Sequence, residues 1–137
     1  MSAWTIGPEV DRAERAILAA ALDGGVWDLV VPLLAERLAP DDFADPIRRI
    51  IFRQVVELYA GGLPGALENV VDALRESGEL VRAGGEATVA RIARGTVSVR
   101  LGDDIATLRR EGDRRRRLAE LDAERERLLS PGWSVVA

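Results

Sequence analysis

The sequence contains no cysteine, no histidine and no lysine among its 137 residues. Without cysteine there is no disulfide and no thiolate metal site. Without histidine the chain lacks the side chain that titrates nearest neutral pH and the commonest transition-metal ligand. Ser-His-Asp and Cys-His nucleophile pairs are therefore impossible within it, and a zinc site would have to rest on carboxylates alone. The missing lysine removes the ammonium that a Gly-x-x-x-x-Gly-Lys-Ser/Thr phosphate loop needs, and no such loop occurs. Aromatics are scarce at 4%, and no apolar run approaches the ~20 residues of a membrane-spanning helix. Met1 to Gly7 carries no basic cluster followed by an apolar core. A secretory leader is not indicated, and the expected location is the cytoplasm.

What remains is 47% apolar and 31% charged, the balance of a soluble globular chain long enough to bury a core as one domain. All 19 basic residues are arginines, whose planar, permanently charged heads favour bidentate partners. Residues 1–90 hold 8 arginines against 15 acidic residues, a net −7; residues 91–137 hold 11 against 8, a net +3. An acidic body precedes a mildly basic tail.

Apolar periodicity predicts helices throughout. Pro8-Glu9 suits a helix start, and Val10, Ala13, Ile17, Ala20 and Ala21 recur at spacings of three and four, predicting a first helix from about Glu9 to Leu22. Asp23-Gly24-Gly25 is expected to end it through left-handed glycine geometry. Val26 to Leu38, with Trp27, reads as a second short helix with Pro32 in its first turn or breaking it. A third, central helix opens at Pro46 and carries Ile47, Ile50, Ile51, Val55, Leu58 and Tyr59 as one stripe. After Gly61-Gly62 a fourth helix turns Leu67, Val70, Val71 and Leu74 inward. A fifth follows Gly84-Gly85 and is expected to bury Ala87, Val89, Ala90, Ile92 and Ala93.

The last helix differs in kind. It is predicted to begin at Asp103-Asp104, where carboxylates favour a helix N-terminus. Its apolar residues, Ile105, Leu108, Leu118, Leu121, Leu128 and Leu129, form a narrow stripe among dense charge. Such a helix packs little of its length on its own domain and calls for a partner helix, since isolated helices are marginal in water. Gly112 is expected to mark a bend. The expected fold is all-α: a compact bundle of about five short helices plus one long C-terminal helix. Residues 1–102 form the head, 103–129 the arm and 130–137 an irregular tail with Trp133.

The block Pro40-Asp-Asp-Phe-Ala-Asp-Pro-Ile-Arg-Arg-Ile-Ile-Phe52 resembles the helical N-terminal domain of the replicative DNA helicase DnaB family. From about Pro8 to Leu118 further pieces arrive in family order: Ala13 to Leu18, Trp27-Asp28, Asp42-Phe43, Arg49 to Phe52, Leu58-Tyr59, Ser77 to Leu80 and Gly84-Gly85. Arg48 stands where the family usually has histidine, and Ala66, Val97, Leu101 and Ile105 replace other common family residues, which marks a divergent member. The resemblance implies a non-catalytic module that self-associates as a homodimer or higher oligomer. It also implies contact with a replisome protein: primase, a helicase subunit or a loader. The family's domain ends in a hairpin of two long helices through which subunits pair, and this chain supplies the first. The helicase-binding domain of primase is similar in fold. Trp27, Asp42, Phe43, Arg49, Phe52, Gly84 and Gly85 are taken as the fold signature. Ile105, Leu108, Arg115, Leu118, Leu121 and Leu128 are the expected interface. A part of a full helicase and a free-standing phage or mobile-element protein that modulates one both fit.

Arg114 to Arg117 is the one conspicuous charge run. Consecutive helical residues point in different directions, and Glu111, Asp113, Glu120, Asp122 and Glu124 are placed to pair with them. A salt-bridged, solvated face is favoured over a partner contact, and both over nucleic acid, whose binding would fall steeply with salt. Asp41, Asp42 and Asp45 have carboxylates that a hard cation would take, yet capping of the helix at Pro46 is the plainer role. Phe43 and Phe52 are expected core anchors, and Trp4 and Trp133 are candidate interface aromatics. No cofactor is expected.

Overall fold

The structure is a computed structural model in which residues 5–130 are described. Six α-helices follow in order: α1 Pro8–Leu22, α2 Trp27–Arg37, α3 Pro46–Ala60, α4 Leu67–Ser77, α5 Glu86–Ala93 and α6 Leu101–Leu128, with a 3-10 turn at Pro40–Asp42 between α2 and α3. No strand occurs among the described residues. The all-α bundle of five short helices and one long one is as expected, and no helix is long and apolar enough to cross a membrane among the described residues. Trp4 and Trp133 lie outside the described residues, as does all of the expected tail beyond Ser130.

Helix α1 is the axis of the bundle, in contact with α2, α3, α5 and α6. From Ala13 to Leu22 every residue except Arg15 is buried. Alanines at 16, 19, 20 and 21 explain how one helix can be surrounded, because short side chains let neighbouring backbones come close. The Ser98 amide, just before α6, donates to the Ala16 carbonyl at 3.1 Å. Phe43 and Phe52 are fully buried, their ring centroids 4.7 Å apart and their planes tilted by 34°, an aromatic pair within the core.

Several local expectations are corrected. Pro32 lies well inside α2, neither in its first turn nor breaking it. The carbonyl it leaves without an intrahelical partner belongs to Asp28, which is exposed and can take water. Helix α1 ends at Asp23, which is extended and whose carboxylate accepts the Gly25 amide at 2.7 Å, so Gly24 and Gly25 need no left-handed geometry. Gly84 and Gly85, by contrast, do have positive φ, at 92° and 86°. Their turn leads into α5, where Ala87 is exposed rather than buried. Tyr59 is 41% exposed at the end of the α3 stripe. Helix α6 runs unbroken from Leu101, two residues earlier than expected.

Candidate interaction surface

Three polar arrangements fix the head and its long helix. The first is buried between α1 and α3. Arg48 donates to Glu14 Oε1 at 2.9 Å and to Asp11 Oδ1 at 2.6 Å, and its Nε lies 3.3 Å from Asp45 Oδ2. The Ala44 amide donates to the other Glu14 oxygen, and the Asp45 side chain caps α3 by accepting the Ile47 amide at 3.0 Å. Glu14 is fully buried. Burial pushes its carboxyl above the ordinary value, against the lowering pull of the Ala44 amide and Arg48. Burial also raises Asp11, but there the hydrogen bond and charge of Arg48, helped by Arg15, win and hold it below its ordinary value. Burial weakens Arg48 as a cation, and Asp11 and Glu14 more than offset this. Arg49, beside it, donates to the Phe43 carbonyl at 3.0 Å and so ties α3 to the loop before it. These groups are anchors: Glu14 has no open face on which a substrate could meet it.

The second arrangement seats the start of α6 on α1. Asp104 is buried, accepting from Arg12 at 2.8 Å and from the Ser98 hydroxyl at 2.6 Å. The Asp104 hydrogen bond raises the Arg12 pKa. Behind it, Ile105 and Leu108 are 5% and 0% exposed. Both were expected on the interface; both belong to the chain's own core, so they cannot serve a partner. The apolar spacing was right, and the chain's own core is what covers it.

The third arrangement carries α6 past the 3-10 turn. Gly112 is buried at the crossing: a Cβ there would overlap Asp42 Oδ1 and lie 3.0 Å from the Asp42 Cα. The glycine thus marks a close approach, not a bend. Asp42 is buried, accepting the Ala39 amide through Oδ2 at 2.8 Å and Arg116 through Oδ1 at 2.8 Å. Arg115 donates to the carbonyls of Asp41 and Asp42 at 3.1 and 3.0 Å, and Arg109 to that of Arg37 at 3.0 Å. Arg115, expected at a partner interface, is engaged within the chain. Arg116 also pairs with Asp113 and Asp41, and its pKa is raised first by Asp113 and then by Asp42. Arg114 reaches Glu111 only at 4.0 Å. Two of the four consecutive arginines thus face the turn, which leaves no continuous cationic face for phosphates. Sequence reasoning missed Gly112 as a contact; a glycine among strong helix formers is the signal that could have found it.

Beyond Arg116 the helix leaves the head. Residues 117–130 are all exposed, among them Leu118 and Leu121 at 51%, Leu128 at 57% and Leu129 at 69%. At the root of this arm an open groove of about 360 Å³ runs between the N-terminal segment and α6, lined by Ile6, Val10, Ala44, Arg114 and Leu118 among others. Among the described residues no group of three or more acidic side chains converges as a metal ion requires. The surface offers apolar contact and charge.

Comparison with known proteins matches residues 7–120 to the family described as DnaB-like helicase N terminal domain. The chain is also similar in fold to the crystal structure of the N-terminal domain of DnaB helicase from Mycobacterium tuberculosis. The two share 25% identity with a TM-score of 0.70, over 90% of this chain and 84% of that one.

Proposed function

The chain belongs to the DnaB-like helicase N-terminal domain family, and on that premise we propose that it is a non-catalytic interaction and oligomerisation module of the DNA replication machinery. The observation that carries this reading is the arm. Leu118, Leu121 and Leu128 stand exposed on a helix that has left its own core. Covering one leucine fully contributes about 1.5–3 kcal/mol, so a second helix laid on this stripe gains what the head cannot supply. The occupants are a second copy of the chain and a replisome protein: primase, a helicase subunit or a loader. No P-loop lies in residues 1–137, so ATP chemistry is not carried by them.

Analytical ultracentrifugation over a concentration series, with pull-down against the cognate helicase and primase, tests this. Self-association and capture of either partner are expected, both weakened by Leu118→Ala with Leu121→Ala. A strict monomer that binds neither protein would overturn the reading.

A further inference from the structure

We propose that Asp42 is the positioning residue that aims the arm, setting the angle at which α6 leaves the head. One side chain holds both sides of the junction. Its Oδ2 accepts the Ala39 amide and so fixes the 3-10 turn, while its Oδ1 accepts Arg116 at 2.8 Å and its carbonyl accepts Arg115 at 3.0 Å. The glycine at 112 lets the helix backbone rest directly on the Asp42 Cα, so the crossing has a hard stop as well as a grip. Arg109, two turns earlier, holds the Arg37 carbonyl on the same side. Two grips and a stop define a direction; from residue 117 onward every residue is exposed.

The arm is therefore a cantilever. From Arg116 to Leu128 it extends about 18 Å at about 1.5 Å per residue, so a tilt of about 10° moves its tip by ~3 Å, more than half of the ~5.4 Å helical turn. Whatever packs on Leu121 and Leu128 meets them at a place chosen by Asp42. This holds within one chain and does not depend on what the arm binds.

The absence of cysteine makes the test direct. Spin labels at Glu76→Cys on α4 and Ala123→Cys on α6, both exposed positions, report the head-to-arm distance by double electron-electron resonance. Labelled chains are diluted with unlabelled ones so that only intramolecular pairs are read. The parent is expected to give one narrow distance. Asp42→Ala and the pair Arg115→Ala/Arg116→Ala should broaden it or shift its mean by about 2 Å or more, the displacement that a tilt of about 10° gives about 10 Å beyond Arg116, whereas Arg117→Ala, the loss of a neighbouring arginine, should not. Helical content and melting of each variant are read alongside. A folded Asp42→Ala protein whose distribution overlays the parent overturns the proposal. If Asp42→Ala does not fold, the arginine pair decides, and a parent-like distribution there overturns it equally. Loss of self-association, read separately by ultracentrifugation, bears on the interaction module and not on the angle.

Discussion

The two parts of α6 share one unbroken helix and almost nothing else. From Leu101 to Arg116 the helix buries Asp104, Ile105, Thr107, Leu108 and Gly112 and is gripped by side chains of other elements. From Arg117 to Leu128 it buries nothing. Both parts carry leucines at helical spacing and both are dense in charge, so the apolar pattern does not tell them apart. What does is the company of the leucines. In the packed part they sit beside an aspartate with fixed partners and a glycine at a close approach; in the free part they sit among long charged side chains that stabilise a helix through neighbours three and four residues away. One part is held by tertiary contact. The other is held by its own propensity until something covers it.

Removing a single charge should separate the two regions most strongly. Arg48→Ala leaves Glu14 fully buried without its cation, and breaking a buried pair in this way costs about 3–5 kcal/mol. Arg114→Ala on the arm removes an exposed contact at 4.0 Å and should cost under ~0.5 kcal/mol. Urea titration of both variants checks this, and equal midpoints would erase the contrast. Next in size is Leu108→Ala, expected to cost about 3 kcal/mol because the side chain is wholly buried.

Glycine gives a test in which the sign itself differs. By helix propensity, replacing a helical glycine with alanine stabilises by about 0.8–1 kcal/mol. Gly102→Ala, with nothing near its would-be Cβ, should follow that rule. Gly112→Ala should instead destabilise by about 1–3 kcal/mol, since its Cβ would drive into Asp42. Thermal melts of the two proteins moving in the same direction would mean that α6 does not rest on the turn.

Much of this was legible in the sequence, and the parts that were not share a cause. Six helices, the burial of Phe43 and Phe52 and the Asp45 cap follow from local rules: periodicity, a proline at a helix start, an acidic side chain before it. The interior position of Pro32 did not, since the residue whose carbonyl it frees, Asp28, is exposed; the end of α1 was placed correctly, but by a carboxylate and not by left-handed glycine. Ile105 and Leu108 were placed on the wrong partner for a deeper reason. A stripe says that a face is to be covered; it does not say by which chain. Asp42 likewise showed only the short-range capping role, since its contact with Arg116 spans a separation that local pattern does not reach.

Acid titration offers a finer probe of the buried cluster, which the arm lacks. Glu14 is raised above its ordinary value of 4.5, so on the way down from neutral pH the folded state takes up a proton there before the unfolded state does. Stability contributed at Glu14 therefore increases as pH falls toward 4.5 and is lost as pH rises through the folded value. Asp11, depressed below 3.8, does the reverse: its contribution is present above 3.8 and lost as pH falls through its folded value. Urea midpoints followed from pH 7 down to pH 4.5 should show the native chain gaining stability relative to Glu14→Gln, which removes the titration at a fixed, pH-independent loss of the charge facing Arg48. Parallel curves would show that Glu14 is not raised.

The smallest effect on folding is also the one that speaks to function. Leu121→Ala, measured in dilute solution, should change stability by less than ~0.5 kcal/mol: the side chain is half exposed, and alanine is the better helix former. Against the loss at Leu108, the same chemical change thirteen residues earlier on the same helix, that near-silence would locate the boundary between core and arm. At high concentration the two variants should exchange roles. Leu121→Ala, especially with Leu118→Ala, would lower the sedimentation coefficient toward that of a monomer, whereas Leu108→Ala would weaken the fold without selectively removing association. A Leu121→Ala protein as destabilised as Leu108→Ala when dilute would place the arm inside a core that the chain builds for itself, and the partner would no longer be needed.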